Sequence, residues 1–158
     1  MSTADPKRDF LRHTLATLAY RGGKAVRHAP AKFADFQGAG RRPAQILAHM
    51  GDLLDCSLSI AQGKPKFIPS QPLTWDKEVS RFFSALRSFD DYLASAEPVR
   101  APIEKLFQGP IADALTHVGQ IAMLRRMAGA PISGENYFLA EIVVGRVGTE
   151  QAAPKREF

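Results

Sequence analysis

The stretch GPIADALTHVGQIAMLRRMAG, residues 109–129, decides the fold. Pro110 suits the first turn of a helix, where its missing N–H leaves nothing unsatisfied, and Gly129, Ala130 and Pro131 end it. The spacing predicts a helix over 110–128. At about 100° per residue, Asp113, His117, Gln120, Leu124 and Met127 fall within about 80° of one another. Three polar residues therefore head an otherwise apolar row. A buried Asp or His must be paired or coordinate something, so this face is expected to meet other helices around a polar site. Asp113 and His117 stand one turn apart and point the same way.

Upstream, apolar residues recur at helical rather than alternating spacing. Phe10, Leu11, Thr14, Leu15, Leu18, Gly22, Ala25 and Val26 mark a first helix from about Pro6 to His28. Its Gly22-Gly23 pair predicts close packing or a bend, because each glycine costs a helix roughly 1 kcal/mol against alanine. A loop from Ala29 to Arg42 follows. Pro43 opens a second helix that runs to about Ala61, where Gly63 and Pro65 stop it. Ile46, Leu47, Met50, Leu53, Leu54, Ser57, Leu58 and Ala61 form its buried arc. His49 lies at the edge of that arc, in the row His49, Leu53, Cys56, Ile60, and is expected to face a neighbouring helix. Asp52 and Asp55 fall on the outward side.

The connection from Gln62 to Leu73 carries Pro65, Pro69 and Pro72, so it is extended. Its length permits a simple return or a crossover along the bundle. Thr74 reads as an N-cap, with Asp76 and Glu78 in the first turn, where the helix dipole favours acids. Trp75, Val79, Phe82, Phe83, Leu86, Phe89 and Leu93 then mark a third helix that supplies the aromatic half of the core. A short helical turn around Ile103 to Phe107 leads to the Gly109-Pro110 break. Asn136 to Val147 fits a strand as well as a helix; with no strand partner elsewhere, a short C-terminal helix is expected, and the tail from Thr149 is expected to fray. The fold class is thus all-α: a four-helix bundle in one domain over 1–158, with a long connection between its second and third helices and a short C-terminal helix.

Composition sets the functional bounds. With 45% hydrophobic and 23% charged residues in 158, the chain is globular. A single cysteine, Cys56, excludes an internal disulfide and a Cys-rich zinc module, so any metal is held by nitrogen and oxygen. Cys56 itself reads as a core thiol rather than a nucleophile. Uncharged apolar stretches fall short of the roughly 20 residues a bilayer needs, and MSTADPKRDF has no signal-peptide core. A soluble, cytoplasmic protein without a membrane partner is expected. The net charge of +5 is uneven: residues 1–42 hold nine Lys/Arg against three acids, the remainder twelve against thirteen. These basic residues are scattered around a helix with no aromatic groups among them, which is a solvated face rather than a nucleic-acid surface.

Taken singly, His49 is an ordinary core histidine, Asp113 serves the helix dipole, and His117 pairs with Asp113 at i, i+4. His13 and His28 are surface residues, and Glu141 is unplaced. Taken together, PAQILAHMGDLLD and GPIADALTHVGQIAMLRRMAG resemble the DinB-like, or YfiT-like, family of helical-bundle metalloenzymes. That family carries a histidine on its second helix and a His-x-x-x-His-x-Gly-Gln pattern on its last core helix. By this resemblance His49 matches the first histidine, His117 the last, and Gly119-Gln120 completes the motif, while Asp113 stands where the family has its other histidine. The resemblance implies a divalent transition metal on His49, Asp113 and His117, with zinc or nickel ahead of iron or manganese, and Gln120 lining the pocket or orienting a ligand.

A carboxylate in place of an imidazole lowers the charge of the site by one and weakens the metal as a Lewis acid. Three protein ligands leave positions for a small-molecule substrate. The chemistry implied is activation of water for hydrolysis or of a low-molecular-weight thiol for S-transfer, in a protein expected to form a homodimer. Two other classes compete: a metal-free, non-catalytic dimeric bundle with a binding or stress-associated role, and a nucleic-acid binder working through the basic third, whose binding would fall steeply with salt.

Overall fold

Asp5 starts the first helix by accepting hydrogen bonds from the backbone of Lys7 and Arg8. In a computed structural model describing residues 5–38 and 40–158, this helix, α1, spans Pro6–Val26. Helix α2 spans Pro43–Ala61 and α3 spans Trp75–Ala94, both with the bounds that the proline, glycine and N-cap signals predict. The Thr74 side chain makes no capping bond; Glu78 reaches back instead and accepts from the Leu73 backbone at 2.9 Å.

The last rod differs from the reading of its sequence. A four-residue helix α4, Ile103–Leu106, runs through a wide π turn, Phe107–Ile111, into α5, Ala112–Met127. Gly109-Pro110 is therefore no break. Proline has no N–H to leave unpaired, and the widened turn accommodates its ring while the rod continues.

Side-chain pairings fix the topology. Gly22 meets Phe82 and Arg12 meets Asp90, so α1 and α3 are antiparallel. Gly22 also faces Val118 and Arg125 bonds to Ala25, so α1 and α5 run together. Asp52 pairs with Arg81, and Ala61 lies by Tyr92, so α2 and α3 are parallel. His49 opposes Asp113, and Ile46 shares a wall with Leu124, so α2 and α5 are antiparallel. The bundle is up-down-down-up, with α1 diagonal to α2 and α3 diagonal to α5. The connection 62–74 is accordingly the crossover of the two permitted paths. No helix among the described residues is long and apolar enough to cross a membrane.

One core joins all four rods, built on Leu15, Leu18, Leu47, Leu54, Phe82, Phe89 and Ile121. Gly22 and Gly23 admit the aromatic rings: a Cβ on Gly22 would lie 2.8 Å from Phe82 Cζ, and one on Gly23 3.4 Å from Phe83 Cζ. This is the close packing that the pair predicts.

Two polar networks correct the sequence reading. Asp52, expected to face outward, is 4% exposed: the crossover lies over it, with Ser70 donating from both N and Oγ and Arg81 closing the pair at 2.5 Å. Burial alone would raise the Asp52 pKa, but the Ser70 and Arg81 hydrogen bonds outweigh it and hold the carboxyl below its usual value.

At the other end of the chain, the expected short helix over 136–147 is limited to one 3₁₀ turn, Tyr137–Leu139. Nor does the tail fray. Glu135 accepts from Tyr20 Oη and Lys24 Nζ, Lys24 also reaches Glu157 at 2.8 Å, and Phe158 N donates to Gly134 O. Local periodicity does not register these pairings, which hold residues 134–158 against α1 as an irregular strap.

Candidate metal centre

Three elements converge on one cleft: the first half of α2, α5 and the Gly40-Arg41 segment that precedes α2. His49 sits two turns into α2, at the edge of its apolar arc, with Ile46 and Met50 buried beside it. Asp113 and His117 project from α5 on the face turned toward α2. The α5 backbone is held in place from behind by Ala114, Val118 and Ile121, all in the core.

The three residues singled out by their spacing come together. Asp113 Oδ2 lies 3.5 Å from His49 Nε2, and Asp113 Oδ1 lies 3.4 Å from His117 Nε2. All three donor atoms fall within 4.8 Å of one another. The imidazole rings meet edge to face with centroids 4.9 Å apart. His117 is almost buried, His49 partly so, and Asp113 is half exposed at the cleft floor.

These separations discriminate between the possible uses of the cluster. Both exceed the roughly 2.7–3.2 Å of a hydrogen bond to nitrogen, so the aspartate is not simply clamped by its neighbours. Two donors bonded at about 2.0–2.1 Å to one ion at a tetrahedral angle stand about 3.4 Å apart. Each Asp113 oxygen holds that spacing to a different imidazole, and one atom from each residue lies within 4.8 Å of the other two. The donor set, two imidazoles and one carboxylate, also fits a borderline transition ion.

Gln120 orients the set. Its Oε1 lies 2.8 Å from His117 Nδ1. With Nδ1–H donating to this oxygen, the Nε2 lone pair is left free and faces Asp113. Gln120 thus holds His117 by its Nδ1 edge and itself lines the cleft. The crossover supplies a residue that the sequence reading missed: the Phe67 ring packs edge-on against His49 with centroids 6.1 Å apart. Nothing in the periodicity of an extended, proline-rich connection announces which helix it covers.

The cleft is open, with a volume of about 850 Å³, and runs from the three polar residues along α5 past Gly119 to Met123, Leu124 and Met127. Ile46 forms the opposite wall, and Arg41 lies at the mouth. Asp113 is the sole carboxylate among its described lining residues. Gly119 differs from Gly22, Gly23 and Gly51, the other glycines of α1, α2 and α5, because a Cβ there would meet nothing within 4 Å.

Other candidates fall outside. Cys56 is half-buried beside Ser59, and burial pushes its thiol pKa up, which removes thiolate character. Asp55 is engaged by Arg81, and Glu141 by Arg146 and Lys155. Neither His13 nor His28 lines the cleft. Comparisons of the chain with protein-family models, with characterised proteins and with solved structures return no match, so the geometry of the site itself carries the functional reading.

Proposed function

We propose that His49, Asp113 and His117 hold a divalent transition metal, and that the protein is a metal-dependent enzyme of the DinB-like type, a hydrolase or thiol S-transferase acting on a small molecule. The observation that carries this reading is the placement of both Asp113 oxygens 3.4–3.5 Å from an imidazole Nε2. Imidazole ligands favour zinc or nickel, and the carboxylate leaves room for iron or manganese. Such an ion supplies Lewis acidity, lowering the pKa of water or of a low-molecular-weight thiol so that it attacks a substrate held in the cleft.

The remaining work falls to the chain. Gln120 fixes the tautomer of His117 and keeps Nε2 on the cleft side. Phe67 restricts the rotation of His49. Asp113 lowers the net charge of the site, which favours retention of the ion over acidity. The half-exposed position of Asp113 keeps one side of the set open to solvent and substrate.

Elemental analysis of protein purified without a histidine tag or chelator tests the reading. One equivalent of transition metal is expected, lost in both His49→Ala and His117→Ala while the helical circular dichroism persists. Metal-free parent protein that refuses added zinc or nickel would favour the non-catalytic bundle and overturn the proposal.

A further inference from the structure

Gly119 occupies the middle of α5, where its backbone is helical and needs no positive φ. Nothing in the fold crowds it either, since the space over its Cα is empty and belongs to the cleft. Glycine is disfavoured in a helix interior, and the close packing that explains Gly22 does not apply to it. What a Cβ here would meet is whatever occupies the cleft.

The walls say what that occupant is. Past Gln120 the cleft is apolar up to Arg41, with Ile46 and Leu124 buried at its sides and Met123 and Met127 more than half exposed along its edge. Methionine adapts its shape to varied apolar bodies. Arg41 stands at the far end: it precedes α2, which runs antiparallel to α5, so it lies on the Met127 side and away from Asp113. Its neighbour Arg42 is paired with Asp35 at 3.6 Å, whereas Arg41 has no ion-pair partner among the described residues. An apolar channel with a charged fork at one end and polar donors at the other is complementary to a molecule of matching polarity.

We infer that the cleft binds a free apolar monoanion, such as a carboxylate with an aliphatic body. Its head lies on Arg41, its body passes over Gly119 against Met123, Leu124 and Met127, and its far end presents the group to be attacked to the His49–Asp113–His117 set. This names the substrate class for the proposed metal enzyme and rests on that reading for the reaction, while the binding itself rests on the cleft walls.

Octanoate and octanamide serve as probes with zinc-loaded protein carrying [¹³C-methyl]methionine. Octanoate is expected to shift the Met123 and Met127 methyl resonances saturably and to leave Met50, fully buried in the core, unmoved. Octanamide should bind at least about tenfold more weakly, the ratio that one charge-assisted contact supplies. Arg41→Gln should erase that preference, and Gly119→Leu should abolish the saturable shift with a Tm no lower than the parent's.

Equal binding of the two probes overturns the inference. So does octanoate binding that ignores Arg41→Gln but vanishes on zinc removal, because the head then lies on the metal. Met123 shifts that follow protein concentration without any probe would place a second copy over Gly119, with the same consequence. Zinc content measured on the same samples separates the two claims: stoichiometric zinc without methionine shifts defeats the cleft inference alone, and methionine shifts with no zinc uptake defeat the metal reading alone.

Discussion

The carboxamide oxygen of Gln120 lies 2.8 Å from His117 Nδ1, one helical turn along α5, so the imidazole is held by its Nδ1 edge while Nε2 faces Asp113. Gln120→Ala is expected to weaken metal binding about 10–100-fold, the usual consequence of removing a group that orients a ligand, with little change in stability. Asp113→His supplies three imidazoles and is expected to retain the metal, whereas Asp113→Ala is expected to lose it. Competition titration with a chromophoric chelator measures all three; unchanged affinity in Gln120→Ala would show that the hydrogen bond has no bearing on coordination.

Gly22 and Gly119 make opposite predictions for the same substitution. Gly22→Ala drives a methyl into the fully buried Phe82 ring and is expected to cost about 1–3 kcal/mol. Gly119→Ala meets only open space and is expected to gain up to about 1 kcal/mol from helix propensity. Urea denaturation of the two variants checks the contrast.

Asp52 and Arg81 fasten the crossover to the bundle. Asp52→Ala removes the closest partner of a guanidinium that is 24% exposed and leaves it Asp55 at 3.0 Å and Glu78 at 3.8 Å, and the expected loss is about 3 kcal/mol. The folded pKa of Asp52 lies below its unfolded value of 3.8, so its contribution is complete above that value. It is lost as pH falls through the folded pKa. The stability difference between parent and Asp52→Asn should therefore stay constant from neutral pH to about pH 5 and shrink below 3.8.

The C-terminal strap depends on Glu135, whose side chain is fully buried against Lys24. Burial by itself would lower the Lys24 pKa, but hydrogen bonds to Glu135 and Glu157 prevail and raise it above 10.5. That contribution is present below 10.5 and lost as pH rises through the folded value. Glu135→Ala leaves Tyr20 Oη without its acceptor and is expected to cost about 3 kcal/mol, the value for breaking a buried pair. It should also release the strap to limited proteolysis near Asn136. Thermal denaturation and mass mapping of the fragments test both.

What the chain discloses in advance follows from the range of the interactions involved. Pro43 and Gly63 delimit α2, and the aromatic stripe from Trp75 to Leu93 delimits α3, because helix ends and amphipathic faces are written within a few residues. His49, Asp113 and His117 were legible for the same reason: each faces inward on its own helix, and two share one turn. The Gly109-Pro110 pair misled because its local signal for a break yields to a rod held on both sides by packing. Asp52 was misplaced because what covers it is not a helix but Ser70 of the crossover. Glu135 and Glu157 lie more than a hundred residues along the chain from their partner Lys24 on α1, beyond any periodic signal.

The up-down-down-up order also governs how the molecule assembles. No two consecutive long helices form an antiparallel hairpin: α1 and α2 are diagonal, α2 and α3 are parallel, and α3 and α5 are diagonal. A fast local nucleus of two helices closing a short loop is therefore absent from the folding route. The first docking must close either the crossover or a span that reaches past a whole helix. Refolding is expected to be slower than in a bundle of the same length built from successive hairpins, and the clasp of Arg81 on Asp52 marks the step at which the crossover is fixed.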